Sequence, residues 1–241
     1  MKKLSQKLNK GKLYLIPTII GEDTQQEVLP NIIIKHIKDI SIFYVENLRT
    51  ARRHIKRLVK EKDIDKTIFY SFGKHDTINL EKDLLTHIIK GEDVGVLSEA
   101  GTPCIADPGA EIVKYAHEFQ IEIVPLTGPC SITLALMASG MNGQNFAFLG
   151  YLPINTNERK KKIKSIEVIA KKNKQTQIFI ETPYRNNQLF DTILKTCNSD
   201  TNLCLATNLT LTSQDIKTRK ISEWRNRKIN LHKKPTIFLI S

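Results

Sequence analysis

Three acidic side chains crowd one short stretch of the chain. Glu99, Asp107 and Glu111 lie in or beside Ser98-Glu99-Ala100-Gly101-Thr102-Pro103-Cys104-Ile105-Ala106-Asp107-Pro108-Gly109, which strings two Gly/Pro turns onto the apolar run Val94–Leu97. A buried strand that ends in a rigid loop leaves backbone groups free to bond a ligand, and such loops are where open α/β sheets hold theirs. A second loop of this kind, Pro125-Leu126-Thr127-Gly128-Pro129-Cys130-Ser131, follows the run Ile121–Val124 and opens an apolar helix. Two strand-to-loop-to-helix joints close together predict a pocket. Gly101 and Gly128 let backbone approach a ligand closely or satisfy turn geometry alone, and N–H groups at the helix opening near Ser131 could bond a carboxylate. Asp107 and Pro108 also read as the cap and first residue of a helix.

Other chemistries lack support. There is no G-x-G-x-x-G and no P-loop, which removes the usual signs of nicotinamide binding and nucleoside triphosphate hydrolysis. Cys104, Cys130, Cys197 and Cys204 form no C-x-x-C pair and have no His at ligand spacing, so neither a zinc site nor a disulfide framework is indicated, and a reducing compartment is expected. Cys130 sits at a helix opening, where a thiol can be activated, yet no His nearby in sequence would serve as its base. His36, His54, His75, His87, His117 and His232 form no metal or triad pattern.

With 241 residues, one large or two small domains are the natural expectation. Thirty-seven Lys and Arg against 25 Asp and Glu give a net charge of +12. That balance suits a polyanionic partner, because each basic group near a phosphate releases condensed counterions. A Lys-rich solvated surface explains it equally well. Lys2, Lys3, Lys7, Lys10 and Lys12 precede the apolar run Leu13–Ile16, but the run is short, ends at Pro17 and lacks a small-residue cleavage site. No segment approaches the roughly 20 apolar residues of a membrane span, so a cytoplasmic protein without membrane contact is expected.

The elements that must position the loops alternate between strands and helices. Strands are predicted at 13–17, 42–45, 67–71, 94–98 and 121–125, then at 176–181, 203–207 and 236–240, a pattern of parallel or mixed α/β architecture. Between Glu46 and Glu61, Leu48, Ala51, Ile55, Leu58 and Val59 recur at helical spacing. Arg49, Arg52, Arg53 and Lys56 fall elsewhere on that helix, leaving one face to pack and another basic. A further helix is predicted near 185–196. The polar stretch 154–158 leads into the Lys-rich segment 159–174, and composition alone would place a domain boundary at Ile154.

In order and wording, SEAGTPCIADPG, PLTGPCS with LALMASGM, FAFLGYLP and IETPYRNN resemble the tetrapyrrole methylase family, in its branch of ribosomal RNA small-subunit ribose 2′-O-methyltransferases. The similarity runs from about Gly11 into the final strand and is sharpest between Val94 and Asn187. It implies two α/β domains of tetrapyrrole-methylase type, 1–125 and 126–241, with the donor site in the cleft between them. It also implies S-adenosylmethionine as methyl donor, ribosomal RNA or the small ribosomal subunit as partner, and a homodimer. By the same resemblance Gly101, Thr102, Pro103, Asp107, Thr127, Gly128, Pro129 and Ser131 would contact the donor. No metal is called for.

A ribose hydroxyl is a weak nucleophile at neutral pH, so a general base or a stabiliser of the developing alkoxide is needed. Glu46 matches the Glu of the family's Glu-Asp-Thr-Arg motif, which here reads Glu46-Asn47-Leu48-Arg49; favouring the N-terminus of the next helix is an equal explanation. Arg49, Arg52 and Arg53 would contact RNA phosphates. So would Arg185, in Glu181-Thr182-Pro183-Tyr184-Arg185, which corresponds to Glu-Ser-Pro-His-Arg; a surface salt bridge is the alternative for any one of them. The first-strand loop, Pro17-Thr18-Ile19-Ile20-Gly21-Glu22-Asp23, departs from the branch's Thr-Pro-Ile-Gly-Asn at Ile19 and Glu22. The acceptor therefore stays open between ribosomal RNA and another molecule such as a tetrapyrrole precursor. A non-catalytic RNA-binding or ribosome-assembly factor is the third reading.

Overall fold

The structure is a computed structural model that describes residues 10–72 and 80–241. Lys2, Lys3, Lys7 and His75 lie outside the described residues. The residues group into two compact units, Met1–Pro129 and Cys130–Ser241.

In the first unit, strands β1 (Leu13–Ile16), β2 (Ile42–Val45), β3 (Ile68–Ser71), β4 (Val94–Leu97) and β5 (Ile123–Pro125) alternate with helices α1 (Gln25–Val28), α2 (Asn31–Asp39), α3 (Leu48–Leu58), α4 (Leu80–Ile89) and α5 (Ala110–Glu118). The sheet order is β3-β2-β4-β1-β5, and every pairing is parallel. Parallel strands need crossover helices, which bury both faces of the sheet. Because side chains alternate along a strand, Tyr14, Ile16, Phe43 and Val45 pack with Ile33, Ile37, Ala51 and Ile55 of α2 and α3. Leu13, Ile42, Tyr44, Val94 and Val96 pack with Leu84, Ile88, Ile112 and Ala116 of α4 and α5. Parallel pairing also brings all the strand-to-helix loops to one edge.

Two helix starts differ from expectation. Helix α5 begins at Ala110 with Gly109 as its cap residue, and not at Pro108. Asp107 instead accepts the N–H groups of Cys104 at 2.7 Å and Gly109 at 3.0 Å, which closes a turn ahead of the helix. Helix α3 is shorter than predicted because the Asn47 side chain accepts from the N–H groups of Arg49 and Thr50, fixing the start at Leu48.

The second unit comprises α6 (Ser131–Ser139), β6 (Phe146–Tyr151), α7 (Thr156–Asn173), β7 (Thr176–Ile180), α8 (Asn186–Thr196), β8 (Asn202–Thr207), β9 (Asp215–Lys220), α9 (Ile221–Arg225) and β10 (Thr236–Ile240). Its sheet, ordered β6-β7-β10-β8-β9, is mixed: only β6 and β7 pair in parallel. The core joins Ile163, Ile166 and Ala170 of α7 and Leu189, Phe190 and Ile193 of α8 to Phe179, Leu203, Leu205 and Phe238 on the sheet. Trp224 closes it, with its indole N–H donating to the Leu203 carbonyl at 2.9 Å.

Candidate active site

Three loops at the carboxyl edge of the first sheet are locked together. After β1, the Thr18 N–H donates to the Gly101 carbonyl at 2.9 Å, and the Ser98 hydroxyl donates to the same oxygen at 3.1 Å. After β4, the Thr102 hydroxyl donates to the Pro129 carbonyl in the loop after β5, at 3.1 Å. Gly101 has a φ of +75°, and a Cβ there would stand 3.0 Å from Ile20 and 3.1 Å from the Pro129 oxygen. At Gly128 a Cβ would overlap the Pro17 ring, 2.2 Å from its Cβ. Both glycines are thus required by loop-on-loop packing.

Of the other residues singled out on these loops, Pro103 is buried, Thr127 is exposed and Asp107 is half-buried. Burial pushes the Asp107 carboxyl above its ordinary value, against the pull of its two N–H donors. Its second oxygen, Oδ2, is buried with no hydrogen-bond partner, and so is the Thr18 hydroxyl. Burial, aided by Asp107, lifts the Cys104 thiol to about 11, which keeps it protonated and unreactive at neutral pH.

Glu46 leaves the end of β2, and its Oε2 accepts the Glu99 N–H at 3.1 Å. Glu99 in turn accepts the Thr50 hydroxyl from α3 at 3.3 Å. Beside this turn lies a cavity of about 160 Å³, lined by Ile19, Ile20, Gly21 and Glu22, by Thr50, Arg53, His54 and Arg57, and by Glu99 and Ala100. Arg53 faces Glu22 at 3.9 Å, and Arg57 faces Asp23 at 3.1 Å. The His54 imidazole is lowered to about 4 by burial and by the charge of Arg57, and its Nε2 is buried without a partner.

Arg53 is the one expected arginine that lines this cavity. Arg52 lies over the Phe69 ring at 5.6 Å and faces Asp65 at 3.8 Å, while Arg49 is exposed on the first turn of α3. His54 and Arg57 escaped the sequence reading, although Arg53 and Arg57 stand four residues apart and therefore share a helix face.

In the second unit, Ser131 is the first residue of α6, after Cys130. Arg185 is held by an ion pair of 2.7 Å to Glu181, whose side chain is wholly buried. This is no surface salt bridge: Glu181 also accepts the Thr182 N–H at 2.7 Å. Among the described residues, no group of three or more His, Cys, Asp or Glu could hold a metal ion, and no helix is long and apolar enough to cross a membrane.

An open parallel sheet with interlocked loops at its carboxyl edge places the chain among α/β proteins, the class in which ligands bind at that edge. Two solved structures share the fold over 96% of this chain. They are uroporphyrin-III-C-methyltransferase from Thermus thermophilus, with a TM-score of 0.54 at 15% identity over 92% of its chain, and the methyltransferase CobJ, with 0.60 at 13% over 94%. The family model described as Tetrapyrrole (Corrin/Porphyrin) Methylases matches residues 31–224. Ribosomal RNA small subunit methyltransferase I of Vibrio cholerae is 30% identical over 88% of this chain and 69% of its own length. The protein of the same name from Buchnera aphidicola is 30% identical over 97% of this chain and 79% of its own length. The chain belongs to the tetrapyrrole methylase family; it is a methyltransferase whose donor is S-adenosylmethionine.

Proposed function

We propose that this protein methylates a ribose 2′-hydroxyl of small-subunit ribosomal RNA. The observation that carries the reading is the juxtaposition of Glu46 and Glu99 with a cavity lined by Arg53 and Arg57. A carboxylate to take a proton and guanidinium groups to hold phosphate are what an RNA hydroxyl acceptor needs. The names of the relatives from Vibrio cholerae and Buchnera aphidicola point to the same acceptor.

The donor supplies an electrophilic methyl group on a sulfonium. The residues present fit such a molecule: the interlocked loops offer the unpartnered Asp107 Oδ2 and Thr18 Oγ1 to its hydroxyl and amino groups. Gly101, Thr102, Pro103, Asp107, Thr127, Gly128, Pro129 and Ser131 would hold it, and their rigidity keeps donor and acceptor aligned. Glu46 would take the proton from the acceptor hydroxyl as that oxygen receives the methyl group. The Glu99 N–H holds Glu46 in place for this. Arg49, Arg52, Arg53 and Arg185 seat phosphates of the RNA. We further propose that the protein works as a homodimer in the cytoplasm.

The test is transfer of labelled methyl from S-adenosylmethionine to small ribosomal subunits purified from cells lacking this gene, with subunits from normal cells as control. Label confined to RNA from the deficient cells supports the reading. Donor binding without label in either preparation moves the assignment to another acceptor.

A further inference from the structure

The second unit exposes an aromatic side chain on a turn that is hydrogen-bonded to a neighbouring strap. Tyr184, 69% exposed, stands between β7 and α8 on a turn closed by the Arg185 N–H donating to Thr182 at 2.9 Å. A basic strap, residues 230–234, is laced to this turn. Lys233 N–H donates to the Pro183 carbonyl at 3.0 Å, Leu231 N–H to Asn187 Oδ1 at 2.7 Å, Asn187 Nδ2 to Asn230 Oδ1 at 3.0 Å, and Asn186 Nδ2 to the Lys234 carbonyl at 2.6 Å. Lys233 adopts a φ of +59°, a left-handed conformation that a non-glycine residue keeps only where its surroundings impose it. The lacing sets His232 edge-on to Tyr184, with ring centroids 5.9 Å apart, and brings exposed Lys233 and Lys234 to the same patch.

Arg185 is anchored from beneath by buried Glu181, and its Nε is buried with no partner, as is Asn186 Oδ1. An exposed ring on a laced turn, a neighbouring imidazole and three cationic residues form an aromatic platform inside a positive field. Single-stranded nucleic acid is the ligand with matching chemistry: an unpaired base stacks on the ring while its flanking phosphates meet Arg and Lys. A single exposed aromatic would call for no explanation. One whose turn is tied by four hydrogen bonds to a lysine-bearing strap does.

We infer that Tyr184 and His232 form a platform for an unpaired RNA base, with Arg185, Lys233 and Lys234 receiving the adjoining phosphates. The inference rests on the RNA acceptor proposed above and places part of acceptor recognition on the second unit.

The test is fluorescence anisotropy of the full-length protein with a labelled mixed-sequence single-stranded RNA of about 12 nucleotides, a length in the range of known single-strand sites. Tyr184→Leu keeps an apolar exposed side chain and should weaken binding roughly tenfold, in line with the loss of one base–aromatic stack. Tyr184→Trp should retain or tighten binding, and S-adenosylmethionine binding by calorimetry should be equal in all three proteins. Lys233→Ala should lower the salt slope of log K by about one while leaving the Tyr184 effect intact. With duplex RNA of the same sequence, whose bases are stacked, Tyr184→Leu should make no difference.

Equal single-strand affinity of wild type and Tyr184→Leu overturns this inference alone. So does a change confined to oligomeric state, which would assign Tyr184 to a contact between copies. Absence of single-strand binding by the wild-type protein also overturns this inference, whereas the RNA acceptor falls only if methyl transfer to small ribosomal subunits fails.

Discussion

Gly128→Ala should show that the Gly/Pro loops of the first unit are a packed unit rather than independent turns. The added Cβ would stand 2.2 Å from Pro17 Cβ and 2.6 Å from its Cγ. Carbon atoms rest comfortably at about 3.5–4.0 Å, so one loop must withdraw by about 1.5 Å. Proline is rigid, and Pro17 follows β1 directly, which leaves the loop after β5 to move. Two bonds stand at risk: Thr102 Oγ1 to Pro129 at 3.1 Å, and Leu126 N–H to the Leu15 carbonyl at 3.0 Å. Overpacking costs about 1–3 kcal/mol, and losing one of these bonds adds about 1 kcal/mol. A total of about 3 kcal/mol would lower the urea midpoint by about 1.5 M for a slope of about 2 kcal/mol per M. Gly143→Ala is the control, because nothing lies within 4 Å of a Cβ placed there. An unchanged midpoint for Gly128→Ala, with S-adenosylmethionine binding intact, would refute the packing argument.

Other outcomes follow from single groups. Glu46→Gln should lower methyl transfer by about a hundredfold or more while leaving donor affinity unchanged, since a general base acts on the acceptor proton; equal loss of donor binding in calorimetry would contradict that role. Arg185→Ala strands the buried Glu181 carboxylate and should cost about 3–5 kcal/mol in urea unfolding, with Glu181→Gln milder. His54 is lowered to about 4 when folded, against about 6.5 unfolded. The unfolded chain therefore binds the extra proton, so stability held above pH 6.5 should fall progressively as pH drops toward 4. His54→Gln should flatten that part of the pH profile in thermal unfolding, and imidazole NMR shifts should show His54 neutral at pH 6. Arg53→Ala and Arg57→Ala should each reduce the salt slope of RNA binding by about one, measured by anisotropy.

Much of the first unit was legible in the sequence. Short β-branched and apolar runs such as Ile42–Val45 and Val94–Leu97 belong to strands buried on both faces, and the loops that follow them carry Gly and Pro where turns demand it. The predicted strand at 67–71 and helix at 185–196 differ from β3 and α8 by one residue at the start. Strand β9 went unseen because Asp-Ile-Lys-Thr-Arg-Lys has no apolar face: it is an edge strand, and its backbone pairs with β8 while most of its side chains remain in solvent. The Lys-rich stretch 159–174 hid a long helix. Ile163, Ile166 and Ala170 are enough to bury one stripe, and Arg159 is itself buried, reaching Thr192 at 3.3 Å.

The sequence by itself determined the α/β alternation, the two Gly/Pro loops and the acidic and basic residues that chemistry could use, because local patterns of burial and turn geometry are written in neighbouring residues. Only the tertiary structure decided what each of these meets. Glu46 holds the Glu99 turn 53 positions along the chain. Gly128 makes room for Pro17, and Tyr184 shares its turn with a strap that comes from His232 and Lys233. Such partners are far apart along the chain and are brought together by strand order and register. No local pattern encodes which carboxylate, ring or carbonyl will face which.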